Sequence, residues 1–222
     1  MRLVESFMSV EGEGKRAGSV VRFVRLAGCN FKDSPCWGMC DTMYGIDTSC
    51  GSETSIEEIM DTMAGGTANK VTVTGGEPLM TKEGKELVKT LAGKYEVNVE
   101  TNGSILLDDV IDVFRSVPTN SFVTMDWKGE SSGNLDRMMP YNLMLLREED
   151  VIKFVIGSEE DLHGMLALLR ASRPKAQVYI SPLFGKIEPS RIVEFMIEND
   201  MYNEKVQIQM HKVIWDPEKR GV

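Results

Sequence analysis

The stretch GCNFKDSPCWGMCDT, residues 28–42, places Cys29, Cys36 and Cys40 within twelve residues, and Cys50 follows ten further on. Sulfur at this density points to metal binding or redox chemistry. Six, three and nine residues separate the four cysteines. Structural zinc is usually held by two closely spaced pairs, which this spacing lacks. Thiolates on a flexible loop suit an iron–sulfur cluster, whose potential nearby charge and hydrogen bonds would tune. Inert, core-type cysteines would have apolar neighbours, whereas Asn30, Lys32, Asp33 and Asp41 stand here. Spacing by itself leaves zinc, a disulfide and a cluster all open. A second stretch, VTVTGGEP (71–78), runs an apolar strand into two glycines. Glycine lets a ligand or another backbone approach closely. Glu77 offers an acceptor for an ammonium or hydroxyl, although a plain turn would have the same sequence.

Both stretches need elements to position them. The chain has 222 residues, 42% hydrophobic and 27% charged, which is ordinary for a soluble globular domain and supports one sizeable core. The net charge of −9 argues against a nucleic-acid-binding face. Apolar runs are too short for a membrane span, and the acidic N-terminal stretch does not resemble a signal peptide. The expected location is therefore the cytoplasm, where disulfides are rare.

Strands are expected at 20–27, 70–74, 96–101, 121–128, 151–156, 177–181 and 206–214, with helical patterns between most of them. Ser55 and Glu58 read as a capping box opening a helix, and Thr81 and Ser158 as further caps. Ser104 is expected to open a helix ending before Pro118, and Pro189 to begin the last one. Residues 130–148 read as loop, then a possible helix. Alternating strands and helices imply a parallel sheet with right-handed crossovers.

Successive strands share a polar parity: Thr72 and Thr74; Asn98 and Glu100; Thr124, Asp126 and Lys128; Gln207, Gln209 and His211. The other parity is apolar, so one face packs on helices and the other lines something wet. The expected fold class is α/β, a partial (incomplete) parallel β/α barrel, with the chemistry at its C-terminal strand ends. An open doubly wound parallel sheet and an antiparallel sheet facing water are the alternatives.

Together, the cysteine loop after one strand and GGEP after the next resemble the radical S-adenosylmethionine (SAM) enzymes. Over nearly the whole chain, ESFMSVEGEG, FVRLAGCN, CDT, TGGEP, VETNGS, IKFVI and QMHKVIWDPEKRGV occur in order and resemble the 7-carboxy-7-deazaguanine synthase (QueE) family. The resemblance implies a single radical SAM domain over residues 1–222. It implies a [4Fe–4S] cluster on three thiolates, with SAM at the fourth iron. The implied reaction is a magnesium-dependent ring contraction of 6-carboxy-5,6,7,8-tetrahydropterin to 7-carboxy-7-deazaguanine with release of ammonia, in deazapurine synthesis. It also implies an external electron donor of flavodoxin or ferredoxin type and a homodimer.

Residue by residue, the resemblance implies Cys29, Cys36 and Cys40 for the cluster and Thr42 for magnesium; Cys50 is a substitute for Cys36 that ranks below it, because the matching pattern ends at Cys40–Thr42. It implies Met39, Cys40, Asp41, Gly76, Glu100, the strand end Asp126, Trp127 and Lys128, and Ser181, Pro182, Leu183 and Phe184 for SAM. For the substrate it implies Val10, Glu11, Gly12, Glu13, Arg25, Thr74 and the terminal carboxylate of Val222. Glu100 paired with Lys128 or Lys153 is the competing structural role. Three departures stand out: three residues rather than two between Cys36 and Cys40, Asp126 in a serine's place, and Glu11 where glutamine is common. Two other readings compete: a radical SAM activase that makes a glycyl radical on a partner protein, and a non-catalytic metal-binding module.

Overall fold

The computed structural model describes residues 1–34, 36, 40–64, 66, 68–216 and 219–221. Among these, the chain forms one nine-stranded sheet, with β3 (Ser52–Glu53) and β1 (Arg2–Val10) at one edge, in the order β3-β1-β2-β4-β5-β6-β7-β8-β9. β2 (Val20–Leu26), β4 (Lys70–Gly75), β5 (Glu96–Thr101), β6 (Phe122–Lys128), β7 (Val151–Ile156), β8 (Gln177–Pro182) and β9 (Lys205–Val206) run parallel, each beside the next. Helices α1 (Ile56–Ala64), α2 (Lys82–Ala92), α3 (Asp108–Ser116), α5 (Glu159–Ser172) and α6 (Pro189–Glu198) follow β3, β4, β5, β7 and β8, and a short α4 (Asn142–Leu145) follows β6. The sheet is not closed into a full ring, so the architecture is a partial parallel β/α barrel.

Alternation decides the two faces. Val24, Val71, Val73, Val97, Val99, Val123, Met125, Ile152, Phe154, Val178 and Ile180 all join one buried apolar cluster with the helices. The residues between them, Arg25, Thr72, Thr74, Asn98, Glu100, Thr124, Asp126, Lys153 and Ser181, turn to the other face, because successive side chains on a strand point oppositely. Helix starts follow their expected caps. Ser55 and Glu58 exchange bonds of 3.1 and 2.8 Å, and the Thr81 and Ser158 hydroxyls accept from Gly84 N and Asp161 N.

Three expectations need correction. Residues Arg2–Val10 form β1, an antiparallel partner of β2 that the periodicity does not announce. Its register is set by tertiary pairing, including a Phe7–Phe23 stack at 5.2 Å. Ser104 does not open α3, which begins at Asp108; its hydroxyl is spent on Asn102 instead. Residues 130–148 follow their expected course, a loop with two short 3-10 turns and then the short helix α4.

The third correction concerns 206–214. Only Lys205–Val206 is a strand, and His211–Ile214 is a short helix, α7. Beyond Val206 the chain leaves the sheet edge. Met210 N donates to Gly12 O at 3.1 Å, and Gly14 N donates to the Gln207 side chain at 2.8 Å. The segment therefore bridges from the β9 edge to the loop after β1, and side-chain and backbone bonds span the gap that strand pairing leaves open.

Candidate active site

The inner face is built in two layers. The lower layer is a buried network around Glu11. Thr72 Oγ1 and Asn98 Nδ2 donate to its carboxylate at 2.9 and 2.6 Å, and Arg16 pairs with it at 3.0 Å. Arg16 also donates to the carbonyls of Val71 and Glu96 at 3.2 and 3.1 Å, and Thr124 donates to Asn98 at 2.9 Å. The loop between β1 and β2 thus inserts a guanidinium into the barrel.

Two residues further along the strands, about 6–7 Å, lies a ring of charge. Lys128 and Lys153 pair with Asp126 at 2.8 and 3.1 Å, and Lys153 also pairs with Glu13 at 3.0 Å. Burial pulls the Lys128 ammonium down, but Asp126 more than reverses this and lifts it to about 12. Burial raises the Glu100 carboxyl to about 7 against the pull of Lys153, and Thr74 hydrogen-bonds to it. Lys153 acts on Glu100 only through its field, since its ion pairs go to Asp126 and Glu13. Arg25 donates to Glu5 at 2.8 Å and to Thr42 Oγ1 at 3.3 Å.

The cysteine loop closes over this end. Gly28 N and Cys29 N donate to Gly45 O and Ile46 O, both at 2.9 Å. Phe31 is buried beneath the Arg137 guanidinium, which lies 4.4 Å from its ring. All four cysteines are free and partly buried, so no disulfide joins them. Burial raises the Cys29 thiol, and raises Cys40 to about 11; in both cases the nearby Cys36 thiol adds to the rise. Cys36 has φ 33°, a left-handed conformation that costs an L-residue about 1–2 kcal/mol. Among the described residues, no three His, Cys, Asp or Glu side chains converge tightly enough for a single metal ion. The donor set fits an iron–sulfur cluster better: three neighbouring thiols, with N–H groups of Phe31 and Asn102 directed at Cys29 Sγ.

GGEP splints this loop to the sheet. A Cβ on Gly76 would meet Gly28 O at 2.3 Å, so only glycine lets the two turns touch. Glu77 N donates to Gly28 O at 2.9 Å. The Glu77 side chain is not open to a ligand, contrary to its expected role. It is buried and accepts from Leu79 N at 2.9 Å, Asn102 N at 2.7 Å and Thr101 Oγ1 at 2.9 Å. Burial raises it to about 7 against these donors. Because Leu79 N and Asn102 N are backbone donors on opposite oxygens, glutamine cannot replace Glu77: its NH2 would face an N–H. Glu77→Gln is expected to cost about 1–3 kcal/mol, nearly as much as Glu77→Ala, read by urea denaturation. A fully tolerated Gln would refute the splint.

The structure brings most expected residues to this end. Asp41 and Thr42 follow the loop, their side chains 3.3 Å apart. Gly12 packs on His211, whose Nδ1 would lie 2.2 Å from an added Cβ. Val10 ends β1 beside Gly12. Ser181 stands one residue before the end of β8, with its hydroxyl buried and without a hydrogen-bond partner. Pro182 and Leu183 follow it, and Phe184 is exposed beneath Lys212. Two expectations fail for side chains. Trp127 points to the helices, in the apolar cluster with Phe154 and Met165, because its parity opposes that of Asp126 and Lys128. The Glu11 carboxylate is saturated internally, so it adds no free charge near a substrate. Met39 and Val222 lie outside the described residues. Arg16, Lys153 and Asn102 join the assembly without belonging to its expected set. Parity offers a signal for Lys153, which alternates with Ile152 and Phe154; Arg16 reads as an ordinary loop charge.

A curved parallel sheet with a cysteine loop at its C-terminal strand ends defines a cluster-binding α/β domain, and residues 10–112 match the family model for a 4Fe-4S single cluster domain. The 7-carboxy-7-deazaguanine synthase of Clostridium acetobutylicum is 37% identical, covering 100% of this chain and 99% of its own length. That of Methanospirillum hungatei is 34% identical, covering 98% and 86%. The crystal structure of QueE from Escherichia coli has the same fold, with a TM-score of 0.70 over 95% of this chain and 94% of that one, at 21% identity. The chain belongs to the 7-carboxy-7-deazaguanine synthase family. Among the described residues, no helix is long and apolar enough to cross a membrane.

Proposed function

We propose that residues 1–222 act as one unit that converts 6-carboxy-5,6,7,8-tetrahydropterin to 7-carboxy-7-deazaguanine with release of ammonia, using a [4Fe–4S] cluster, SAM and magnesium. The observation that carries this reading is the gathering of three thiols over a ring of buried charge at the strand ends. Cys29, Cys36 and Cys40 would hold the cluster. When bound, it supplies one low-potential electron for reductive cleavage of the sulfonium nucleotide.

The chain's own groups bind and orient. Lys128, held by Asp126, balances negative charge beside Cys36 and Cys40. The unspent Ser181 hydroxyl offers the nucleotide a hydrogen bond that burial otherwise leaves unmade. Gly76 gives backbone access, with Pro182, Leu183 and Phe184 beside the adenosine and Met39, Cys40 and Asp41 beside the cluster. Thr42 supplies a hard oxygen for magnesium, which keeps waters and substrate oxygens as its other ligands. Arg25, with its Nε on Glu5 and one N–H on Thr42 Oγ1, turns its remaining N–H groups to the substrate carboxylate. Glu13, with one oxygen on Lys153, accepts from the pterin's N–H edge through the other. Thr74, Glu100, the backbone of Val10, Glu11 and Gly12, and the Val222 carboxylate complete the pocket. The same reading includes a flavodoxin- or ferredoxin-type donor, a homodimer and a cytoplasmic location.

The test is anaerobic reconstitution with iron and sulfide, followed by SAM, dithionite, magnesium and the carboxytetrahydropterin. Deazaguanine detected by mass spectrometry is the expected product. SAM cleavage without that product, or a protein that takes up no iron, would overturn the reading.

A further inference from the structure

Asn102 ends the stretch after β5 with an amide whose orientation is decided by its neighbours. Its Oδ1 accepts from Ser104 N at 3.0 Å and from Ser104 Oγ at 2.6 Å. A backbone N–H cannot be reversed, so the amide cannot be flipped without facing donor to donor. Nδ2 must therefore point the other way. It donates to Asn30 Oδ1 at 2.9 Å and lies 3.9 Å from Cys29 Sγ. Asn30 closes the ring by donating to Ser104 Oγ at 2.8 Å. The backbone is clamped too, since Asn102 N donates to Glu77. Phe31 N gives the same sulfur a second donor at 3.4 Å.

We propose that Asn102 is a positioning residue that raises the reduction potential of the cluster through a locked N–H···S contact to Cys29. The inference rests on the cluster reading above. On reduction, the oxidised cluster gains one electron from the external donor and no proton, so negative charge on its sulfurs grows. A fixed N–H directed at one ligand sulfur stabilises that reduced form more than the oxidised one. Of the two donors, only the Asn102 amide can be removed by substitution.

The test reconstitutes wild type, Asn102→Ala and Ser104→Ala anaerobically, counts iron, and titrates each with dithionite against redox-dye buffers. The electron paramagnetic resonance signal of the reduced cluster is followed. Asn102→Ala is expected to keep its iron and to show about a tenfold lower reduced-to-oxidised ratio at fixed potential, about 59 mV for one electron. Ser104→Ala, which loosens the amide but leaves it present, should shift the midpoint the same way by less. An unchanged Asn102→Ala midpoint overturns the proposal. If Asn102→Ala loses its iron, Ser104→Ala decides: a negative shift supports the proposal and an unchanged midpoint overturns it. A wild type that takes up no iron fails the functional reading and this inference together. A loaded, product-forming wild type beside an unshifted variant fails the inference alone.

Discussion

Replacing Cys29, Cys36 or Cys40 by alanine is expected to abolish the iron–sulfur chromophore, and replacing Cys50 to leave it intact. The three thiols are neighbours, since Cys36 acts electrostatically on both Cys29 and Cys40. Cys50 instead sits at the turn into β3 (Ser52–Glu53), its carbonyl bonded by Arg2 at 3.0 Å. Loss of one of three protein ligands should reduce iron retention beyond the roughly 10–100-fold typical of changes to outer-shell partners. Iron per chain and visible absorption after anaerobic reconstitution provide the measurement. A Cys36→Ala protein that loads fully while Cys50→Ala does not would move the third ligand to Cys50.

The largest expected stability effect belongs to Arg16. Its side chain is 5% exposed and that of Glu11 2%. Arg16→Met strands a buried carboxylate and frees the carbonyls of Val71 and Glu96, which the guanidinium otherwise ties across β4 and β5. Breaking such a pair from one side costs about 3–5 kcal/mol. Glu11→Gln keeps an acceptor for Thr72 or Asn98 and leaves Arg16 its contact with Glu96 at 3.4 Å, so it should cost less. The double variant Arg16→Met/Glu11→Gln should fall short of the summed single costs by about 1 kcal/mol or more, since residues in one network couple. Urea midpoints at unchanged m-value give all three numbers. Strictly additive costs would mean that the two charges do not depend on each other.

The departure at Glu11 thus has a local explanation in this chain. Where a neutral side chain would need only hydrogen bonds, the carboxylate brings its own counter-ion five residues later. The pair is internally neutral, which leaves the charge ring above it to Asp126, Lys128, Lys153, Glu13 and Glu100.

Local pattern was enough for several features. The alternation of Val71 and Val73 with Thr72 and Thr74, repeated in the next strands, set one greasy and one polar face, because strand side chains obey a period of two wherever the strand lies. The caps at Ser55, Thr81 and Ser158 were equally local, each a side chain reaching a backbone N–H three residues on. The crowding of three cysteines followed from adjacency in the chain. Other features depended on partners distant in sequence. Glu77 became a splint because Thr101 and Asn102 arrive beside it, and Asn102 faces Cys29 across 73 positions. Residues after Val206 kept a strand-like alternation yet left the sheet, since β8 ends at Pro182 and the loop at Gly12 offers partners instead. Tertiary structure alone decided these, because a hydrogen bond depends on which groups share a neighbourhood, and only the folded sheet brings those groups together.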